Sequence, residues 1–317
     1  MINLRYHIVS LVAVFLALAV GILMGSTVLD RGTVALLERS SGQLRGNLDS
    51  YRAENTRFDR ELRQWRRYGE LVLPGQVAGR LRGHSVLVVD TDQVADGARE
   101  AVRQAVRAAG ASYDGRITFS SQRLTLEEPA DRSALAGLLD TGEQDRAVLQ
   151  RLLVDKVAGR LRVSVALPRD ERDRAGDPLT ALRQANFIAD LDIPAPFRDG
   201  GQPFPRLNSL VVVLGPPAGV EPVPAPDGFL VPVAGRLATI SPTPVAAVET
   251  SGPLAWLQAL RRNELVSARV STVDNVDLVP GQVALVEALA RGLAGQPAGH
   301  YGNERGATEL LPEAPAS

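Results

Sequence analysis

Ser85-Val-Leu-Val-Val-Asp90-Thr-Asp-Gln-Val94-Ala-Asp-Gly-Ala-Arg-Glu-Ala-Val-Arg-Gln-Ala-Val-Arg-Ala-Ala109-Gly110 is the stretch that decides the fold. Ser85 to Asp90 carries a continuous apolar, β-branched run, the pattern of a strand buried on both faces. From Val94 to Ala109 the apolar residues recur at helical spacing, and Gly110 supplies the stop. A buried strand followed directly by a helix is the repeating unit of a parallel sheet. Toward the C-terminus the same alternation recurs. Arg116–Ser120, Ser209–Leu214, Pro244–Glu249 and Leu265–Ser271 read as strands. Residues 131–191 read as mostly helical, with a charged break at Pro168 to Asp177. Leu254–Arg262 and Val279–Leu293 read as helices. The expected fold class is α/β, a mostly parallel, Rossmann-like sheet covered on both faces. The tail after Ala294 is rich in Gly, Ala, Pro and Glu and reads as extended.

Working toward the N-terminus, Pro74-Gly75 is expected to end a long helical pattern. That pattern has a heptad repeat. Position a falls at Val34, Ser41, Leu48, Asn55, Leu62 and Gly69, and position d at Leu37, Leu44, Tyr51, Phe58, Trp65 and Val72. Only Ser41, Asn55 and Gly69 in this series are not apolar, so the period is that of a coiled coil. A polar Asn55 at a is the kind of residue that fixes register and strand number. In a parallel homodimer Glu61 at g meets Arg66 at the following e, but Glu54 meets Asp59 and repels it. A homodimer is permitted, and a helix of another protein removes the conflict. A single amphipathic helix packed on its own domain is the plain alternative. Arg57, Arg60, Arg63, Arg66 and Arg67 read as a solvated outer surface. As one helix the segment is a spacer on the order of 60 Å long.

Before the heptads, Ile8 to Leu29 contains no charged residue. At 1.5 Å per residue it spans about 33 Å, enough to cross a hydrocarbon core. Ala17-Leu18-Ala19 resembles a signal-peptide cleavage site, but the apolar run continues well past it, which suits an uncleaved anchor. Arg5 on the short flank predicts a cytoplasmic N-terminus and an extracytoplasmic main domain. Gly21 and Gly25 form a GxxxG pair that lets a second helix approach, though glycine is also common in membrane spans. The expected organisation is therefore a stub and single transmembrane anchor over 1–29 and a coiled-coil stalk over 30–73. A linker over 74–83, an α/β domain over 84–294 and an extended tail over 295–317 follow.

Composition excludes several functions. The 317 residues carry 35 Lys+Arg against 36 Asp+Glu, so nothing marks a nucleic-acid binder. Cysteine is absent, which removes disulfides, thiolate metal sites and thiol catalysis. Histidine stands only at positions 7, 84 and 300, and methionine only at 1 and 24. Ligands of open α/β sheets gather at the carboxyl ends of strands. Asp90 and Asp92 end the first strand, and Asp274 and Asp277 follow the last. Together they form a candidate acidic rim for a hard cation or a carbohydrate, but both pairs also precede helices and fit N-capping better. No GxGxxG, GxxxxGK[ST], GxSxG or HExxH occurs. The prolines of Gly215-Pro-Pro-Ala-Gly219 remove the amide donors of a phosphate cradle. His84 and Ser85 point to opposite faces of a strand and cannot act as a pair. The reading is non-enzymatic, with no catalytic residue, no metal site and no cofactor.

Met1-Ile-Asn-Leu-Arg-Tyr-His and the later Leu-Ala-Val-Gly-Ile-Leu-Met-Gly-Ser26 resemble the opening of the actinobacterial MctB-type copper transport outer membrane family, which includes the SteB-type cell-separation proteins. Val270-Ser-Thr-Val-Asp-Asn-Val-Asp277 and Gly299-His-Tyr-Gly302 resemble its C-terminal signatures, of which Asp274 and Asn275 are members. The proline-rich stretch from Pro216 to Pro242 departs from the pattern. The resemblance covers nearly the whole chain. It implies either copper homeostasis, with an outer-membrane location as the alternative to a single-pass anchor, or cell separation. In the second case the chain is a scaffold that joins a SteA-type partner and controls a peptidoglycan hydrolase. Copper transport requires thiolate, thioether or imidazole ligands, which this chain nearly lacks. An outer-membrane pore requires a closed barrel of alternating strands, which the pattern does not offer. The expectation is therefore a membrane-anchored scaffold acting through its coiled coil, with copper transport as the alternative.

Overall fold

Val86 and Val88 of the first strand face one apolar core while Leu87 and Val89 face a second, so both sides of this strand are dry. That is what an uninterrupted apolar run requires. The computed structural model describes residues 4–162, 178–192, 209–216, 229–240, 243–250 and 256–312, and within the first helix it leaves the side chains of 26–39 undescribed. The chain forms two units, Met1–Trp65 and Arg66–Ser317.

Helix α1 covers Leu4–Val77 and supplies every described residue of the first unit. In the second unit the order is β1 (Ser85–Thr91), α2 (Asp96–Ala108), β2 (Ser112–Phe119), α3 (Ser121–Leu124), α4 (Pro129–Leu139) and α5 (Arg146–Arg162). There follow α6 (Pro178–Gln184), β3 (Ile188–Asp192), β4 (Ser209–Leu214), α7 (Leu230–Ile240), β5 (Val245–Val248) and α8 (Trp256–Arg262). The unit closes with α9 (Glu264–Ser267), β6 (Val270–Val273), α10 (Val279–Leu293) and β7 (His300–Tyr301).

The seven strands form one sheet in the order β3-β2-β1-β4-β5-β6-β7. All neighbours are parallel except β2 and β3. The order reverses between β1 and β4, as in doubly wound folds, so the expected α/β class and parallel sheet are observed. Register is set by the apolar residues: Val89 lies opposite Ile117 on one side and Val213 on the other. One core packs α4, α5, α6, α7 and α8 on the sheet. The other packs α2, α10 and the last turn of α1 through Leu73 and Val77.

Several expectations are corrected. Pro74 does not end the helix, which continues to Val77. Leu73 and Val77 are fully buried, and that packing offsets the hydrogen bond proline removes. The stop comes at Gly79, whose φ of +76° only glycine adopts readily. The 74–83 segment is thus no free linker: Leu81 is buried and its N–H donates to the Ala109 carbonyl at 3.0 Å. β2 begins at Ser112 rather than Arg116, with a bulge against Val86 and Leu87. Residues 188–192 are a strand, not a helix. Asn186 at φ 60° breaks the preceding helix, and Asn tolerates that region. Residues 264–267 form a short helix capped by the Asn263 side chain, so the next strand starts at Val270. Within the proline-rich stretch lies α7, with Pro232 in its first turn where an N–H is orphaned anyway. The tail is not simply extended, because His300–Tyr301 pairs with β6. The charged break at Pro168 to Asp177 lies outside the described residues.

Candidate functional site

The first candidate surface is the apolar stripe of α1. Leu44, Leu48, Tyr51, Phe58, Leu62 and Trp65 all face solvent, with exposures from 44% at Leu62 to 70% at Trp65. Asn55 stands exposed in the same stripe. The side chains of Val34 and Leu37 lie outside the described residues. A contiguous exposed apolar stripe of this length is a candidate interaction surface. Arg57 lies between the two g-position glutamates, 3.9 Å from Glu54 and 3.7 Å from Glu61, and stacks its guanidinium 5.3 Å from the Phe58 ring centre. Farther up, Arg5–Gly25 has a mean hydropathy of 2.8 and is long and apolar enough to cross a membrane. A Cβ at Gly21 or Gly25 would meet nothing within 4 Å, so this helix face is open to a neighbour.

The second candidate is the acidic rim, and its four aspartates do not converge. β1 and β6 are separated by β4 and β5, about 14 Å at one strand spacing per step. Asp90, Asp92 and Asp274 are instead claimed locally. Asp90 is fully buried and accepts from Arg99 Nε at 2.7 Å. Burial pushes its carboxyl above the ordinary 3.8, against the pull of Arg99. Asp92 accepts from the Ser121 backbone N–H at 3.0 Å and from its hydroxyl. Asp277 is half-buried just before α10. Nor do these residues cap the helices that follow, since the N-cap positions are Ala95 and Leu278, without side-chain bonds. Among the described residues no group of three His, Cys, Asp or Glu is placed to hold a metal ion.

Asp274 is the centre of a clasp that the sequence did not announce. Its carboxylate is fully buried and accepts from Arg261 Nη2 at 3.2 Å, from the Asn303 N–H at 2.9 Å and from the Glu304 N–H at 3.3 Å. Asn275 Nδ2 donates to it as well. Arg261, with 4% of its side chain exposed, also donates to Thr272 Oγ1 at 2.8 Å, to the Tyr301 carbonyl at 3.1 Å and to the Arg305 carbonyl at 3.2 Å. Gly302 sits against Asp274 at φ +130°, where a Cβ would collide with the carboxylate. The two C-terminal signatures are therefore one structure: the first supplies the acceptor and the second wraps it. Arg261, at the end of α8, reads in sequence as an ordinary helix-terminal charge.

The clasp contains a titratable group. Arg261 can only donate, so Thr272 Oγ1 accepts from it, and the same hydroxyl shares a hydrogen bond with His300 Nδ1, 3.0 Å away. The His300 imidazole is half-buried beside the Arg261 guanidinium. Burial, and then the Arg261 charge, hold its pKa below the ordinary 6.5. A depressed histidine gives stability that is full above the unfolded pKa and lost as pH falls below it. The expected result is a melting temperature that drops below about pH 6.5, and drops less in His300→Gln, measured by circular dichroism across that range.

The switch point between β1 and β4 is closed on the β4 side. A Cβ at Gly215 would overlap the Trp256 indole, so the buried Trp256 packs directly on this glycine. The rest of the Gly215–Gly219 motif, from residue 217, lies outside the described residues.

The family profile described as "Copper transport outer membrane protein, MctB" matches residues 1–312. The "Copper transporter MctB" of Mycobacterium tuberculosis (strain ATCC 25618 / H37Rv) is 27% identical over 339 residues, covering 98% of this chain and 99% of that protein. The protein of the same name from Mycobacterium leprae (strain TN) is 27% identical over 335 residues, with the same coverage. An N-terminal apolar helix, a parallel α/β sheet and two C-terminal signatures that meet in one clasp thus accompany a match along almost the entire length, and the chain belongs to the MctB family of copper transport outer membrane proteins.

Proposed function

We propose that this protein serves copper homeostasis at the cell envelope as a membrane-anchored assembly component, and does not itself ligate the copper it helps to move. The copper role comes from the relatives, which are named copper transporters. The assembly role rests on the exposed apolar stripe from Leu44 to Trp65. Copper as cargo needs soft ligands. The chain has no cysteine, and His300 spends its Nδ1 on Thr272 inside the clasp. Among the described residues one helix is long and apolar enough to cross a membrane, and one such helix per chain does not line a channel, so transport through it requires other copies or other proteins around it.

The test is complementation of a deletion strain. Leu44, Leu48, Phe58 and Leu62 replaced together by asparagine should abolish restoration of copper tolerance, whereas His300→Gln should restore it fully. Full complementation by the fourfold variant would end the assembly reading, and failure of His300→Gln with normal protein levels would restore direct ligation.

A second reading is cell separation, with the stripe docking a SteA-type protein or a peptidoglycan hydrolase. The Glu54–Asp59 repulsion in a parallel homodimer favours it, because a foreign helix with a basic residue at that step relieves the conflict. Under this reading the fourfold variant grows as unseparated chains of cells at unchanged copper tolerance. Normal separation would remove it.

A further inference from the structure

The sheet ends unevenly at its β3 edge. β3 pairs with Arg116–Phe119 of β2, so among the described residues no strand lies beyond Ser112–Gly115. α2 flanks this step, and a cavity of about 230 Å³ opens there. Asp96, Arg99 and Arg103 of α2, Tyr113 and Arg116 of β2, and Asp192 at the end of β3 line it, with Glu100 beside them.

These groups differ in what they already hold. Arg99 is fixed by Asp90 at 2.7 Å and Asp96 at 2.8 Å, and Arg116 is paired with Asp190. Arg103 pairs with Glu100 one helical turn away, with 41% and 55% of the two side chains exposed. Surface pairs of this kind contribute little and open readily. Asp192 has no ion-pair partner among the described residues, although its charge reaches both Arg103 and Tyr113. Burial holds the Tyr113 phenol up at about 12, so it stays a neutral donor at any physiological pH.

The cavity thus offers one available cation, one available anion and a hydroxyl. Three guanidiniums face three carboxylates, a balance that suits no polyanion. The volume is below that of ordinary ligand pockets and excludes a nucleotide. A carboxylate and an ammonium on one small skeleton match the free groups. We propose that this cavity is a binding site for a small zwitterion of the amino-acid class. The ligand carboxylate takes Arg103 from Glu100 and accepts from Tyr113, and its ammonium pairs with Asp192.

The experiment titrates the full chain in detergent with L-alanine, D-alanine, propionate and ethylamine, followed by calorimetry. The expected result is saturable binding of at least one alanine enantiomer and of neither half-molecule. Arg103→Gln and Asp192→Asn should each weaken it about tenfold or more, with an unchanged melting temperature because both side chains are partly exposed. Absence of saturable alanine binding at millimolar concentrations overturns the proposal. So does propionate binding as tightly as alanine, which would mark a simple carboxylate site, and so does alanine binding that both variants leave intact.

Discussion

Asp274→Ala lowers the stability of the α/β unit by about 3–5 kcal/mol, the usual result of removing one partner of a buried ion pair. The reason is the guanidinium left behind. Arg261 is already pushed down in pKa by burial, and Asp274 is the first group that opposes this. Without the carboxylate its Nη2 keeps only the Tyr301 carbonyl, and the Asn303 and Glu304 N–H groups lose their acceptor. The segment from Gly299 to Arg305 loosens, and β7 leaves the sheet edge with it. Urea unfolding followed by circular dichroism measures the loss, and limited proteolysis locates it in the C-terminal segment. Arg261→Met combined with Asp274→Ala should cost less than the sum of the single changes, because the stranded charge is gone. A stable Asp274→Ala variant that had merely lost a ligand would instead return Asp274 to the acidic rim.

The second large effect concerns α1. Replacing Leu44, Leu48, Phe58 and Leu62 with asparagine removes the exposed apolar surface on which the proposed assembly rests. Each side chain contributes about 1.5–3 kcal/mol when fully covered, so four of them total about 6–12 kcal/mol, comparable to the ~8 kcal/mol binding free energy of a micromolar complex. Complex formation should disappear in pull-downs from solubilised membranes. The α/β unit should keep its spectrum and its unfolding midpoint, since none of the four residues belongs to it.

Legibility in the sequence followed burial on two faces. β1, β4 and β5 sit between two cores, and their unbroken apolar runs leave one reading. α10 was legible from end to end, Val279–Leu293, because its apolar stripe lies against one core. β3 was not legible. It is an edge strand, half-exposed, with Asp190 and Asp192 along it, and it carries no run to read. β7 is two residues long and is held by partners from distant positions. The clasp shows the same limit. Asp274 stood out at the end of a strand, but its function depends on Arg261 and on backbone N–H groups of residues 303 and 304, which no local pattern marks. The stripe on α1 was plain at the level of the heptad, and its residues from Leu44 to Trp65 stand exposed on the helix.

The most direct test places a photo-reactive benzoyl-phenylalanine on α1 in native membranes, at Tyr51 in the stripe or at Arg60 on the outer face. Assembly through the stripe predicts a discrete cross-linked product from position 51, none from position 60, and loss of the product when Leu44, Leu48, Phe58 and Leu62 are asparagine. No product at position 51, or equal products at both positions, would contradict it.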